Sequence, residues 1–84
     1  MWFVYIIECE DKSLYTGVAK DVKKRFEEHK NKKGAKYTQG HKPQRVVYIE
    51  RKLNRSAAQK REAEIKNFTH QEKLNMIKNT KMPG

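Results

Sequence analysis

The chain has a single cysteine, no long apolar run and few acidic residues, and each shortage excludes a class of protein. Cys9 has no partner within the chain, so an intramolecular disulfide is excluded and a reducing compartment is expected. Cys9, His29, His41 and His70 lack the paired spacing of zinc ligands. The apolar run Trp2 to Ile7 is too short for a signal peptide, and no lipidation motif or long amphipathic helix is present. We therefore expect a cytoplasmic protein that does not bind membranes.

Positive charge is what the chain has in excess. Its 84 residues include 20 Lys+Arg against 10 Asp+Glu, for a net charge of +10. Such a surplus can simply keep a small protein soluble, but in so short a chain it indicates a polyanionic partner. We expect that partner to be a nucleic acid. No repeat, low-complexity tract or linker divides the sequence. One domain over residues 1–78 and a flexible tail over residues 79–84 are predicted.

The first half of the chain predicts a β-hairpin, a helix and a third strand. Trp2–Cys9 and Leu14–Val18 are rich in β-branched and aromatic residues and are separated by a polar turn. Asp21 is a candidate N-cap for a helix that ends at about Asn31. A loop with Gly34, Gly40 and Pro43 follows, and then a strand over 45–51.

Two further helices complete an α+β domain. Ser56 is the predicted N-cap of the second helix, whose apolar stripe consists of Ala57, Ala58, Ile65 and Phe68. Thr69 precedes the third helix and can form a capping box with Glu72; Leu74 and Ile77 should face the core. The predicted fold is a small three-stranded antiparallel sheet flanked by about three helices, in the order β-β-α-β-α-α.

The hairpin sets a geometric condition on its two tyrosines. Side chains alternate between the faces of a strand, so Tyr5 shares a face with the other odd-numbered residues of the first strand. Tyr15 reaches that face only if it pairs with an odd-numbered residue. This requires a loop with an odd number of residues, such as Asp11-Lys12-Ser13, or a bulge.

Several motifs along the chain occur together in one known family. Val4-Tyr5-Ile6 and Tyr15-Thr16-Gly17 are followed by Arg25 and His29, which lie one turn apart on the predicted helix. This arrangement resembles the opening of the GIY-YIG nuclease superfamily. The segment from Gly34 to Pro43 resembles the lysine–tyrosine loop of its small single-domain members, and residues 61–66 resemble their glutamate helix. The chain departs from the pattern at Val4 and Thr16, which replace a glycine and an isoleucine of the strand motifs.

Each motif also has a plainer explanation. Tyr5 and Tyr15 could be half-buried strand aromatics, and Arg25 and His29 could be solvated helix residues. Their occurrence together favours a shared site.

Periodicity alone does not select a carboxylate. Glu62 and Glu64 lie on opposite edges of the apolar stripe of the second helix, and either could reach a neighbouring cleft. The resemblance selects Glu62, although an i,i+4 pair with Lys66 would also explain this residue.

The resemblance implies hydrolysis of nucleic-acid phosphodiesters. Tyr5 would activate water, assisted by Tyr15 or His29, and Arg25 would hold the nonbridging phosphate oxygens. Glu62 would bind one Mg²⁺ or Mn²⁺. The residues expected to grip the nucleic acid are Lys32, Lys33, Lys36, Tyr37 and Lys42.

The prediction is a metal-dependent DNA endonuclease that recognises structure more than sequence. The alternative is a module that binds DNA or RNA with the same fold, and whose catalysis is negligible or depends on a partner protein. The sequence does not imply such a partner.

Overall fold

A three-stranded antiparallel sheet forms the centre of the protein. The structure, a computed structural model, describes residues 1–31 and 40–79. In those residues the strands are β1 (Trp2–Cys9), β2 (Leu14–Ala19) and β3 (Pro43–Lys52), and their order in the sheet is β2-β1-β3. The helices are α1 (Val22–Lys30), α2 (Arg55–Lys66) and α3 (His70–Lys78). The predicted α+β fold and its order of elements are confirmed.

β1 is the central strand because it is apolar on both faces. Val4 and Ile6 belong to a core that includes Ala58 and Ile65 of α2. Tyr5 and its odd-numbered neighbours belong to a second core, against which Val22 and Phe26 of α1 pack. The sheet therefore separates α1 on one face from α2 and α3 on the other. This division decides which side chains can meet.

The hairpin turn confirms the predicted parity. The Cys9 amide donates to the Ser13 carbonyl at 2.9 Å, and the Lys12 amide donates to the Cys9 carbonyl at 2.9 Å. The loop is thus Glu10-Asp11-Lys12, three residues that end in the left-handed conformation of Lys12 at φ 70°. It lies one residue earlier than the suggested Asp11-Lys12-Ser13. Ile7 pairs with Tyr15, so both tyrosines lie on the α1 face.

β2 and β3 are longer than predicted. β2 continues to Ala19, and β3 begins at Pro43, which was expected to close the preceding loop. Proline lacks an amide hydrogen and is tolerated at the first residue of a strand or at a bulge. The register between β1 and β3 shifts between Glu8 and Cys9, and Cys9 is the partner of Pro43. This irregularity explains why the strand can start at a proline.

The N-caps of α1 and α3 are as predicted, whereas that of α2 is not. The Asp21 side chain accepts from the Lys24 amide at 3.0 Å. Ser56 was the wrong cap for α2, because the Asn54 side chain already accepts from the Ala57 amide at 2.9 Å. Asn is as good a cap as Ser and lies in extended backbone before the helix. Thr69 and the N3 glutamate form the expected capping box.

The inward face of α3 differs from the prediction at one position. Leu74 is 37% exposed, whereas Met76 and Ile77 pack against the core. With Lys73 they form the less exposed stripe at helical spacing, and Leu74 lies beside that stripe. The predicted tail lies outside the described residues from position 80 onward. In the part of the chain that is described, no helix is long and apolar enough to cross a membrane.

Candidate active site

Three aromatic rings from β1, β2 and α1 meet on one face of the sheet. Tyr5 Oη lies 3.0 Å from His29 Nε2. The Tyr15 ring centroid is 6.4 Å from that of Tyr5 and 5.1 Å from that of His29. His29 is fully buried and Tyr5 is 1% exposed, so neither is a solvated surface residue. The tertiary structure thus brings together three of the predicted site residues.

Gly17 makes room for the Tyr5 side chain. The two residues are direct partners across β1 and β2. A Cβ atom at position 17 would lie 2.5 Å from Tyr5 Oη and 2.7 Å from its Cζ. The phenol therefore lies over the bare backbone of Gly17. Sequence reasoning did not assign Gly17 a role in the site, although a glycine within a strand is a signal of close approach.

Burial keeps both members of the Tyr5–His29 pair neutral. Desolvation raises the pKa of Tyr5 to about 12; nearby Tyr15 acts in the same direction. Desolvation lowers the pKa of His29, and the charge of Arg25 lowers it further. At neutral pH a protonated phenol therefore faces a neutral imidazole. We assign the hydrogen bond as donation by the phenol O–H to Nε2, with the imidazole proton on Nδ1.

Arg25 lies at the exposed edge of this cluster. Its Nη1 donates to Glu28 Oε1 at 3.1 Å, and 35% of its side chain is exposed. Its charge opposes the rise in the pKa of Tyr5, so it acts directly on the phenol. It also lines a surface pocket of 250 Å³. Arg25 is thus positioned to contact both Tyr5 and a ligand at the surface.

Glu62 acts on the site from the opposite layer of the fold. Its charge contributes to the raised pKa of Tyr5, although α2 packs on the other face of the sheet. Its Oε2 also pairs with Lys66 Nζ at 3.3 Å, so the plainer explanation of Glu62 is present too. The side chain of Glu64 is 62% exposed and pairs with Arg61 at 3.7 Å. Of the two carboxylates, Glu62 is the one whose charge contributes to the raised pKa of Tyr5.

A metal ion would find a sparse set of ligands here. Within residues 1–31 and 40–79, no three His, Cys, Asp or Glu side chains converge on one point. Mg²⁺ and Mn²⁺ are commonly held by one or two carboxylates together with waters and substrate phosphate. Glu62 fits a weak site of that kind, in which most ligands come from the substrate and solvent.

The predicted nucleic-acid loop is only partly described. Lys32, Lys33, Lys36 and Tyr37 lie outside the described residues. Lys42 is exposed, and its carbonyl accepts from the Glu10 amide at 2.9 Å.

A polar cluster anchors the end of this loop to the hairpin. His41 Nδ1 lies 2.6 Å from Asp11 Oδ2. Hydrogen bonds from Ser13 and then His41 lower the pKa of Asp11 to about 2. The end of the loop is therefore held at the turn between β1 and β2.

Thr16 marks a departure from the strand motif that affects packing on the other face. Its side chain is 2% exposed, and its hydroxyl has no hydrogen-bond partner among the residues described. An isoleucine would avoid this buried polar group. Thr16 points away from the aromatic cluster, since it alternates with Tyr15 and Gly17 along β2.

Comparison with known proteins shows which family the chain belongs to. The family model described as the GIY-YIG catalytic domain matches residues 1–75. A UPF0213 protein of Staphylococcus epidermidis is 56% identical over 75 residues, which cover 89% of this chain and 92% of that one. A UPF0213 protein of Staphylococcus aureus is 54% identical over 76 residues, covering 90% and 93%. The chain therefore belongs to the GIY-YIG family.

A solved structure extends the likeness to the fold. The solution NMR structure of a UPF0213 protein from Bacillus halodurans is 37% identical in sequence, with a TM-score of 0.62. The match covers 99% of this chain and 89% of that one. Family membership implies a nuclease-type domain that acts on nucleic acid, in a family that typically uses a divalent metal.

Proposed function

We propose that this protein is a metal-dependent endonuclease that hydrolyses DNA phosphodiesters. One observation carries the proposal: the 3.0 Å contact between Tyr5 Oη and His29 Nε2. It lies beside Tyr15, and both Arg25 and Glu62 act electrostatically on the phenol. A buried tyrosine and a buried neutral histidine, with a cation at their edge, would move a proton beside a phosphate bound at Arg25.

The phenol can act as a base only by passing on its own proton. Because the pKa of Tyr5 is about 12, the phenolate is scarce at neutral pH. Water attacking the phosphorus would transfer a proton to Tyr5 Oη while the phenol proton moves to His29 Nε2. The neutral imidazole can accept it without rearrangement. His29 is then the final acceptor, and Tyr5 stands between it and the water.

Arg25 and Glu62 would help to stabilise the negative charge that develops on the phosphate during the reaction. The planar guanidinium of Arg25 suits the nonbridging oxygens, whose negative charge grows in the transition state. Glu62 would hold Mg²⁺ or Mn²⁺, which when bound neutralises charge on the phosphate and the leaving oxygen. Freeing Glu62 for this role requires loss of its pair with Lys66. Such a surface pair is worth only a few tenths of a kcal/mol.

The substrate is recognised mainly through its backbone. Lys32, Lys33, Lys36 and Lys42 would contact phosphates, and Tyr37 would lie near the site or stack on an unpaired base. Contacts to phosphates, and stacking of a tyrosine on an unpaired base, do not read base edges. We therefore propose cleavage directed by the structure of the DNA with little sequence specificity. A cytoplasmic location is consistent with the free, buried Cys9.

A second candidate is a nucleic-acid-binding module whose catalysis is negligible or depends on a partner protein. The resting state of the site favours it in two respects. The pKa of Tyr5 is raised, not lowered, and Glu62 is paired with Lys66. Binding alone would need the charge of the chain but not the Tyr5–His29 contact.

Cleavage assays on two glutamate variants separate these candidates. Branched, nicked, single-stranded and duplex DNA are incubated with Mg²⁺ or Mn²⁺ and wild type, Glu62→Gln or Glu64→Gln. Glu64→Gln removes the same charge from the same helix and is the matched control. We expect wild type and Glu64→Gln to cut and Glu62→Gln to lose activity by at least about a hundredfold. No cleavage by wild type on any substrate supports the binding module; loss only in Glu64→Gln means that the carboxylate was chosen wrongly.

A further inference from the structure

Two cations are held against the only tryptophan of the chain. Lys20 Nζ and Arg55 Cζ each lie 5.5 Å from the centroid of the Trp2 ring. Trp2 is half-buried and packs against the core of the α2 face, so its ring is a fixed surface. Cation–π attraction at this distance restrains side chains that would otherwise move freely in solvent. The residue that follows β2 and the first residue of α2 thus present two ordered positive charges around one ring.

Among the residues that the structure describes, neither of these two cations pairs with a carboxylate, unlike many other cations of the fold. Cations paired with carboxylates include Arg25, Arg45, Lys52, Arg61 and Lys66. Over the described ranges, neither Lys20 nor Arg55 lies within ion-pair distance of an acidic group. Ordered positive charge without a counter-charge attracts an anion from solution.

The Trp2 surface connects to the candidate active site around the end of β2, where Lys20 follows the strand. Lys20 lines the 250 Å³ pocket together with Lys24 and Arg25. The pocket also includes Asp21 and Glu28, but both carboxylates are already engaged. Asp21 caps α1, and Glu28 pairs with Arg25. A row of cations therefore runs from Arg25 through the pocket to Trp2.

We propose that Trp2, Lys20 and Arg55 form a secondary phosphate-binding site that holds the nucleic-acid backbone next to the phosphate bound at Arg25. The inference rests on the proposed function for its substrate class. Because cations already lie over the indole ring, the ligand is a backbone phosphate and not a stacked base. The site therefore extends the binding surface without adding sequence preference.

The single tryptophan allows the site to be observed directly. Trp2 is the only tryptophan, so selective excitation reports on this position alone. Iodide should quench its fluorescence more strongly than caesium does, because the flanking cations concentrate anions. A thymidine oligonucleotide, added in EDTA so that no cleavage occurs, should protect Trp2 from iodide. An adenosine oligonucleotide of equal length should protect equally, and inorganic phosphate at the same phosphate concentration should not.

The decisive variant is Lys20→Gln/Arg55→Gln. Its matched control, Lys12→Gln/Lys78→Gln, removes the same charge from two exposed residues at the hairpin tip and the end of α3. We expect oligonucleotide binding to the first variant to weaken about tenfold at low salt. The slope of log K against log salt should fall by about 1.4, or about 0.7 for each lost contact with a single strand. The control should keep the wild-type slope. Lys20→Arg/Arg55→Lys, which keeps both charges, should bind as wild type.

Three results would overturn the site: a wild-type slope in Lys20→Gln/Arg55→Gln, an equal loss in the control, or no protection of Trp2 by any oligonucleotide. Failure of the proposed catalysis is distinguishable, because all of these measurements are made without metal. If the wild type cuts nothing but the slope is lower in Lys20→Gln/Arg55→Gln, the phosphate site stands and the proposed nuclease activity is wrong. If the wild type cuts DNA but the variant keeps the wild-type slope, the nuclease activity stands and the phosphate site is wrong.

Discussion

At the scale of the residue, the site depends on how closely Tyr5 can approach its neighbours. The phenol reaches His29 by lying over Gly17, where no side chain stands in its way. In the proposed mechanism the tyrosine relays the proton, and the glycine leaves space for the tyrosine ring. A motif that pairs them on neighbouring strands therefore has a steric reason as well as a chemical one.

Gly17→Ala tests this steric role. The new methyl would lie 2.5 Å from Tyr5 Oη, so the phenol must move away from His29. We expect cleavage to be lost, with a destabilisation of about 1–3 kcal/mol from overpacking. The measurements are cleavage of the best substrate and urea unfolding.

Gly40→Ala is the matched control, because nothing lies within 4 Å of a Cβ atom at that position. It should cut as wild type does. Full activity in Gly17→Ala would show that the contact between Tyr5 and His29 does not need the space at Gly17.

At the scale of the element, the hairpin turn sets the register that puts both tyrosines on one face. The turn reaches its three-residue length by placing Lys12 in the left-handed region, at φ 70°. For a residue with a side chain this conformation costs about 1–2 kcal/mol. Glycine adopts it readily.

Lys12→Gly should therefore stabilise the protein. We expect a gain of about 1 kcal/mol in the free energy of unfolding, measured in urea, with an unchanged m-value. Lys12→Ala removes the same charge but keeps the strained backbone, and should show no gain. Equal stability of the two variants would mean that the left-handed residue carries no measurable strain.

The helix N-caps show which structural features can be predicted from local sequence. Asp21 and the capping box at Thr69 depend on contacts within four residues, and both were predicted correctly. Asn54 and Ser56 are equally good caps by composition, and the structure uses Asn54. Which of the two residues caps α2 depends on where the chain leaves β3, and local sequence patterns do not predict that position.

At the scale of the whole molecule, stability should follow the protonation of a single buried histidine. His29 is fully buried, and its folded-state pKa lies below the usual 6.5. Below pH 6.5 the unfolded chain therefore binds this proton more readily than the folded protein does. The stabilising contribution is complete above pH 6.5 and is lost as the pH falls toward the folded-state pKa.

We expect the free energy of unfolding to decrease between pH 7.5 and 5.5, as measured by urea unfolding. His29→Gln should lose this part of the pH dependence, whatever its overall stability. His70→Gln, which removes an exposed histidine from α3, should keep it. The pKa of Asp11 is about 2, so that carboxylate does not titrate in this range. Identical pH profiles of His29→Gln and wild type would contradict the assignment.

The sequence alone determined the order of elements and the N-caps of α1 and α3. These features are local: apolar spacing, capping residues and an alternation of side chains along a strand are all written within a few residues. Alternation of side chains along the strands gave only a condition for a shared face of the two tyrosines, whereas Tyr5, Tyr15, Arg25 and His29 were selected by their resemblance to the motifs of the family.

The tertiary structure decided which side chains are buried, how their pKa values shift and which side chains come close together. These properties depend on residues far apart in the chain. Tyr5 and His29 are 24 positions apart, and only folding buries them against each other, which raises the pKa of Tyr5 and lowers that of His29. Periodicity left Glu62 and Glu64 equivalent, and only the position of α2 against the sheet couples Glu62 to Tyr5. Leu74 looked like a core residue until the packing of α3 left it exposed. Lys20 and Arg55 showed no relation in the sequence, and folding placed both of them at Trp2.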